Sequence, residues 1–301
     1  MGRYAIEPWF ERDFVQTYDH PLIQSDGHVN GAPSDTSVFF WDSFGRVRTS
    51  RDDANAPWVG YRILTIDLGT DSRYVRSTMD EFDAAVGLHL GETGGWKFST
   101  VLGAGYSSTH PFTHTSGIFG IGHLLAEKQI DDHQGLVLSV DYEGNSSFLP
   151  DVPLPGFAYV WQSPKVQAYV GYPQSKAIWK PSPKWEVSAG YTVPYTADVD
   201  VEYRAWEHVG FYANAGNFCQ GVVTASRDGV PEGDITNRQF YQFKRIESGV
   251  RFIFDPWVDA AVSVGYAFDQ TVSTGFDVRD MQGFAQLSNQ PYIAFVIRGR
   301  F

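Results

Sequence analysis

The sequence ends with an alternating stretch, Pro291-Tyr292-Ile293-Ala294-Phe295-Val296-Ile297-Arg298-Gly299-Arg300-Phe301. Read at the two-residue period of a β-strand, one face carries Ile293, Phe295, Ile297, Gly299 and Phe301. The other face carries Tyr292, Ala294, Val296, Arg298 and Arg300. The ends of soluble domains usually fray in water, so a final strand that stops on an aromatic predicts a structural role for the last residue. A closed barrel requires such a role, because its last strand must pair with its first.

Composition restricts the class of protein. Of 301 residues, 43% are hydrophobic and 19% are charged, which is typical of a folded chain. Aromatic residues make up 16% and favour strands and membrane interfaces. The formal net charge of −12 argues against nucleic acid as a partner and against a basic lipid-binding patch. The single cysteine, Cys219, allows neither an intramolecular disulfide nor a cysteine-rich metal site, and no metal or cofactor is predicted.

No apolar run is long enough for a transmembrane helix, because Asp, Glu, Arg or Gly interrupts every alternating segment. This does not exclude a membrane protein, since barrel strands are apolar only at every second position. The N-terminus, Met1-Gly2-Arg3, shows no basic-then-apolar leader, and we expect it to be the start of a mature chain.

Alternation recurs from Val59 onward in segments of the length that crosses a bilayer obliquely. In 61–69 we assign Leu64, Ile66 and Leu68 to the apolar face and Asp67 to the polar face. The alternating segments are 61–69, 81–90, 96–106, 116–126, 136–142, 157–173, 185–193, 199–205, 208–216, 240–254, 257–268 and 292–301. They predict an all-β, single antiparallel up-and-down barrel of about twelve strands, with fourteen as the alternative. Segment 157–173 is also compatible with a strand broken near Pro164.

The connections between these segments alternate in length. Short connections, such as 91–95, 127–132 and 206–208, fall in every second gap, and longer loops such as 143–156 and 217–239 fall between them. This asymmetry is typical of short periplasmic turns and long external loops. Segment 173–183 breaks the rule, because it is long where a short turn is expected, and the short Pro194–Ala197 connection breaks it on the opposite side.

Residues 1–58 do not alternate cleanly and are rich in aromatic residues, Pro and Gly. We treat 1–58 as an irregular N-terminal segment and 59–301 as the barrel. The first segment is either a plug or a periplasmic extension, and a further strand around Val38–Val47 is the remaining alternative.

A soluble sandwich or jelly roll would also alternate. Two features favour a membrane barrel instead. The polar faces contain much Gly, Ala and Ser rather than Lys and Glu, as a confined interior requires. Aromatic residues also stand at the ends of apolar rows, as in interfacial girdles; they are Phe82, Trp96, Tyr106, Tyr142, Trp185, Tyr203, Phe268 and Phe301.

The strand pattern over 59–301 and the terminal aromatic strand resemble porin-like β-barrels of the Gram-negative outer membrane, whose last strand commonly ends on Phe. The resemblance implies a location in the bacterial outer membrane. It also implies outer-membrane lipid, lipopolysaccharide and the barrel assembly machinery as partners. By the same resemblance, the assembly signal would be Ile293, Phe295, Ile297 and Phe301. It specifies neither a solute nor an oligomeric state.

Charged residues on the polar faces are the candidate lumen lining. We predict an acidic external half formed by Asp67, Asp83, Asp141 and Asp200. We predict a mostly basic periplasmic half formed by His89, Lys97, Arg204, Arg251, Arg298 and Arg300, together with Glu186 and Asp259. Glu202, on the face of Asp200, completes the set.

Charged rings in a narrow tube concentrate counter-ions and set selectivity. The leading hypothesis is therefore a narrow pore for passive passage of small hydrophilic solutes or ions, which admits cations or zwitterions at its mouth. The alternative is a closed barrel with internal ion pairs and a structural or adhesive role through its external loops.

A third hypothesis is lipid hydrolysis, which some outer-membrane barrels perform. Such a site needs a Ser activated by His, with an orienting Asn or Asp, on the lipid face. Only His123 could point outward within a strand, and no Ser stands at its level. The competing interpretation is a lumen-facing His123, so we assign no catalytic residue and expect no enzymatic activity.

Overall fold

The computed structural model describes residues 14–21, 27–29, 32–34, 37–50, 53, 55–70, 75–112, 115–224, 238–254 and 258–300. Within these ranges the chain forms strands and one short 3-10 turn, Thr115–Gly117. The strands are β1 (Phe14–Pro21), β2 (Gly27–Val29), β3 (Ala32–Ser34), β4 (Ser37–Arg48), β5 (Trp58–Gly69), β6 (Thr78–Thr93), β7 (Trp96–Ser108), β8 (Ile118–Gln129), β9 (Gln134–Glu143), β10 (Leu154–Gln162), β11 (Val166–Tyr172), β12 (Gln174–Ser182), β13 (Trp185–Thr192), β14 (Thr196–Trp206), β15 (Val209–Val223), β16 (Arg238–Ile253), β17 (Val258–Gly275), β18 (Gln282–Gln286) and β19 (Gln290–Arg300).

Sixteen of these strands form one antiparallel up-and-down sheet. From β4 to β17 each strand pairs with the next in the chain, and β17 then pairs with β19. Strand β1 pairs with β19 on one side and with β4 on the other. Strand β18 adds only to the far end of β17, and β2 and β3 form a separate hairpin.

The count of sixteen corrects the expected twelve and the alternative of fourteen. Segment 157–173 is two strands, β10 and β11, and segment 173–183, assigned to a loop, contains β12. Strand β12 escaped detection because Lys176, Lys180 and Pro181 leave it with little apolar alternation. The other two additional strands, β1 and β4, precede residue 59, so the sheet starts before the boundary drawn from the sequence.

The two ends of the sheet differ in how the strands are connected. At one end, here called the short-turn end, connections include 94–95, 183–184 and 207–208. At the opposite long-loop end they include 70–77, 109–117 and 144–153, of which the last two were predicted from the connection lengths in the sequence. The first residues of β1 and the last residues of β19 both lie at the short-turn end, because Phe14 pairs with Arg300.

The two faces of the sheet have different surroundings. We call the inner face the side on which side chains of distant strands meet, as when Gln220 of β15 bonds Glu81 of β6. The outer face exposes large apolar side chains, for example Leu102 at 57% and Val264 at 62%. Soluble monomers rarely expose such a surface over many strands, and a soluble sandwich would bury it. On β19, Phe295 and Ile297 face outward and Tyr292, Ala294 and Val296 face inward, as predicted.

Strand β5 faces the opposite way from the expectation. Leu64 is fully buried, with Ile66 and Leu68 also on the inner face, whereas Ile63 and Asp67 are exposed on the outer face. Both faces of this strand carry large apolar residues, so alternation alone could not tell which face lies inside.

Candidate functional site

An apolar core fills part of the inner face toward the long-loop end. Its members come from strands that are distant from one another in the sheet, so their side chains pack against each other across the interior. The buried members are Val38, Phe40, Leu64, Ile66, Leu68, Val75, Met79, Val222, Tyr241, Phe243, Ala267, Val272, Ala285, Leu287, Tyr292 and Ala294. The Phe218 ring lies 4.8 Å from that of Phe40 and 5.4 Å from that of Phe243. This half of the interior is therefore a packed core rather than a water-filled space.

A buried ionic network lies beside this core. Arg62, only 3% exposed, donates from Nε to Asp42 Oδ1 at 2.8 Å and from Nη2 to Asp42 Oδ2 at 3.1 Å. Its Nη1 also pairs with Glu81, whose other oxygen accepts from Gln220 Nε2 at 2.7 Å. Such a network is stable only when every charge has its partner. None of these four residues was singled out from the sequence.

The network continues into the loop after β9. Arg238 donates to Asn145 Oδ1 at 2.6 Å and to the carbonyl of Ser146 at 2.7 Å, and Asn145 in turn donates to Glu81. Arg238 is buried, so its charge is compensated by these acceptors rather than by water. The loop 144–153 is thereby tied to the inner face.

A second loop contacts this one across the long-loop end. The Leu149 amide donates to Asp277 Oδ2 at 3.1 Å, and the Val278 amide donates to the Ser147 carbonyl at 3.0 Å. Burial alone would raise the pKa of Asp277, but hydrogen bonds from Arg279 and from the Leu149 amide outweigh it and lower this pKa. The two loops therefore cover the packed half of the interior.

The sector of the inner face formed by β11, β12, β13 and β14, here called the polar sector, is polar where the packed core is apolar. Its inner face carries polar residues that keep partial access to water: Gln167, Lys176, Ser188, Asp200 and Glu202. At the long-loop end of this sector the connections are short: Pro173 alone joins β11 to β12, and 193–195 joins β13 to β14. Lys180 and Glu186 form an ion pair of 3.0 Å here, and each side chain is about half exposed. This polar sector is the best candidate for a path along the inner face.

The predicted lumen residues are distributed over both regions. Asp83, Asp141, Glu202, Arg251 and Asp259 are on the inner face and largely buried or ion-paired; His89, Lys97, Glu186, Asp200 and Arg298 are partly accessible. Arg204 is exposed near the short-turn end. Asp67 lies on the outer face, which corrects its assignment to the lumen. Arg300 is at the end of β19, its side chain lies outside the described part, and Phe301 lies outside the described residues altogether.

The expected separation into an acidic and a basic half is not what the inner face displays. Arg251 pairs with Glu202 at 2.7 Å and approaches Asp259 at 3.7 Å. Arg298 interacts electrostatically with Asp259, Asp200 and Glu202. Opposite charges are mixed at the same level because burial of an unpaired charge is costly, and pairing removes that cost.

His123 is on the inner face and only 2% exposed, which contradicts the outward orientation that a lipid hydrolase would need. Its Nδ1 lies 2.8 Å from Asp141 Oδ1, and Ser139 Oγ donates to the other oxygen of that carboxylate at 2.6 Å. The serine therefore bonds the carboxylate and not the imidazole, so this trio lacks the geometry that activates a nucleophile.

Two features are absent from the described residues. No helix among them is long and apolar enough to span a membrane. No group of three or more His, Cys, Asp or Glu side chains is arranged there to hold a metal ion.

No protein-family model and no curated protein matches the sequence. Among solved structures, the chain is similar to a deltaS2S3 mutant of TodX, a monoaromatic hydrocarbon channel, with 9% identity, a TM-score of 0.43 and coverage of 96% of this chain and 90% of that chain. It is also similar to a Pseudomonas aeruginosa FadL homologue, with 9% identity, a TM-score of 0.37 and coverage of 95% and 89%. OmpT, an outer membrane protein of Vibrio cholerae, gives 9% identity, a TM-score of 0.32 and coverage of 96% of each chain.

These structural neighbours are bacterial outer-membrane β-barrels, which is the class and the location that the sequence resemblance indicated. With TM-scores below 0.5, the likenesses assign no solute and no residue role to this chain.

Proposed function

We propose that this chain spans the bacterial outer membrane as a closed barrel of sixteen strands and lets small hydrophilic solutes or ions pass along the polar sector of β11 to β14. The observation that carries the proposal is the coincidence of two features in that sector. Its inner face is polar and accessible, and the connections above it are the shortest at the long-loop end.

Two observations support the barrel and its place in a membrane. The pairing of β1 with both β19 and β4 leaves neither of those strands with a free edge along the paired residues. The apolar outer face would be costly in water and stable in hydrocarbon. External loops would then lie at the long-loop end, and the termini of the sheet would face the periplasm.

The charges of the polar sector indicate weak rather than strict ion selectivity. Glu186 and Glu202 are paired with Lys180 and Arg251, so no ring of one sign forms at those levels. Paired charges of both signs suit small polar and zwitterionic solutes, because either end of a zwitterion finds a counter-charge.

We expect Ser188→Cys, made in a Cys219→Ser background, to render the channel sensitive to a charged methanethiosulfonate reagent. Ser188 is on the inner face between Ile178 and Asp200, so the attached group would obstruct the path and lower single-channel conductance several-fold. The measurement is conductance of the purified protein in planar lipid bilayers before and after the reagent. The matched control is Val187→Cys on the outer face, where the reagent should leave conductance unchanged.

A closed barrel with a structural or adhesive role is the second candidate, and the packed core and covering loops favour it. Absence of conductance steps, together with absence of liposome swelling in small sugars, would establish the closed barrel and refute the passage. Equal effects of the reagent at Ser188→Cys and Val187→Cys would refute the path along β11 to β14 while leaving a pore elsewhere.

A further inference from the structure

A cleft opens on the inner face at the short-turn end, on the β6 to β10 side of the sheet. It has a volume of about 360 Å³. Side chains of β6 to β10 line it, and the turn 130–133 between β8 and β9 closes one side. It lies outside the polar sector of β11 to β14, so it is a separate feature of the inner face.

A row of alternating charge crosses the cleft. Lys97 of β7 is directly opposite Glu92 of β6 on one side and Glu127 of β8 on the other. Directly opposed residues of antiparallel strands have Cβ atoms about 5 Å apart. A cationic and an anionic group are thus held side by side, at a spacing that a single small molecule can bridge.

Glu127 has an unmet hydrogen-bonding need. Its Oε1 is buried, and among the described residues no donor bonds it. The other oxygen, Oε2, also has no donor among the described residues but is not fully buried, so an N–H group of a ligand in the cleft can reach it and make the hydrogen bond that the protein does not make. Lys97 influences Glu127 electrostatically but forms no ion pair with it within 4.0 Å in the described structure.

Next to these charges the cleft has an apolar wall. Val137 and Val160 line it and are buried in a small cluster with Leu125 and Ala158. An aliphatic group of a ligand would cover the accessible edge of this cluster and leave water.

We propose that this cleft binds an aliphatic α-amino acid. The ligand ammonium donates to Glu127, its carboxylate accepts from Lys97, and its side chain lies against Val137 and Val160. The inference does not depend on the proposed passage, because binding at the cleft is an equilibrium property of the folded chain whether or not the lumen conducts.

The test compares three probes that share an isobutyl group by isothermal titration of the full chain in detergent micelles. Leucine carries both charges, 3-methylbutylamine lacks the carboxylate, and 4-methylpentanoate lacks the ammonium. We expect leucine to bind about tenfold or more tightly than either of the others, as loss of one charge-assisted hydrogen bond predicts. Equal binding of leucine and the amine, or no binding of leucine, would overturn the proposal.

Two variants test which residue binds the ammonium of the ligand and which binds its carboxylate. Glu127→Gln and Lys97→Met should each weaken leucine binding about tenfold or more, and Lys97→Met should also abolish the preference for leucine over the amine. The matched controls are Glu207→Gln and Lys184→Met, exposed residues in other turns of the same end, which should bind leucine like the unaltered chain. Equal losses in the controls would contradict the assignment. If Glu127→Gln fails to refold, as judged by circular dichroism, Lys97→Met and the three probes on the unaltered chain decide the question.

Discussion

Replacement of Phe40 by alanine is expected to lower the free energy of unfolding by about 3–5 kcal/mol. Phe40 is 4% exposed. The centroid of its ring lies 4.8 Å from that of Phe218, in an edge-on arrangement, and 6.2 Å from that of Phe243. Removal of the Phe40 ring leaves a cavity in a core that is built by strands distant from one another in the sheet. The rings of Phe218 and Phe243 cannot fill this cavity unless their strands move. The measurement is equilibrium unfolding in urea of the chain folded into lipid vesicles, followed by tryptophan fluorescence.

The control for this experiment is the adjacent residue of the same strand. Phe39 faces outward and is 36% exposed, so Phe39→Ala removes a ring that touches lipid rather than protein. We expect a clearly smaller loss of stability there. Equal losses at both positions would mean that β4 has no distinct inner and outer face, and a larger loss at Phe39 would reverse the facing assigned to this strand.

Arg62→Met is expected to destabilise the fold by about 3–5 kcal/mol. The substitution keeps much of the side-chain volume but leaves the carboxylates of Asp42 and Glu81 without their shared guanidinium. Both carboxylates are buried, so water cannot replace the lost partner without opening the interior. The same unfolding experiment in vesicles measures the loss.

Two further variants separate charge from volume. Arg204→Met removes a guanidinium that is exposed, and its effect should stay within about 0.5 kcal/mol. Adding Asp42→Asn and Glu81→Gln to Arg62→Met should recover part of the lost stability, because the uncompensated charges are removed with their partner. If the triple variant is less stable than Arg62→Met alone, the loss comes from packing or hydrogen bonding and not from the buried charges.

These two experiments bear on function as well as on stability. Both probe the packed half of the interior, where the core, the Arg62 network and the covering loops lie. A barrel that conducts along β11 to β14 needs this half as a rigid wall opposite the polar sector. We therefore expect solute passage and stability to respond to different sets of residues.

The sequence determined the class of structure because the period of its side chains is a local property. Alternation from Val59 onward was sufficient to predict antiparallel strands, and connection lengths were sufficient to predict which end carries the long loops. The facing of β17 was also predicted correctly, since one of its faces is clearly apolar and the other carries small or polar residues. The parts that the pattern missed were strands such as β12, whose inner face is polar and whose alternation is short.

Only the tertiary structure decided what lies inside the sheet. Leu64 and Ile63 are adjacent and both apolar, and which one meets protein and which one faces outward depends on contacts with β15, β16 and β19. The partners of Arg62 and Arg238 are likewise set by residues far away in the chain, such as Gln220 and Asn145. Alternation records that two faces differ, but curvature of the whole sheet brings distant side chains together, and that proximity decides which charges pair and which part of the interior stays open.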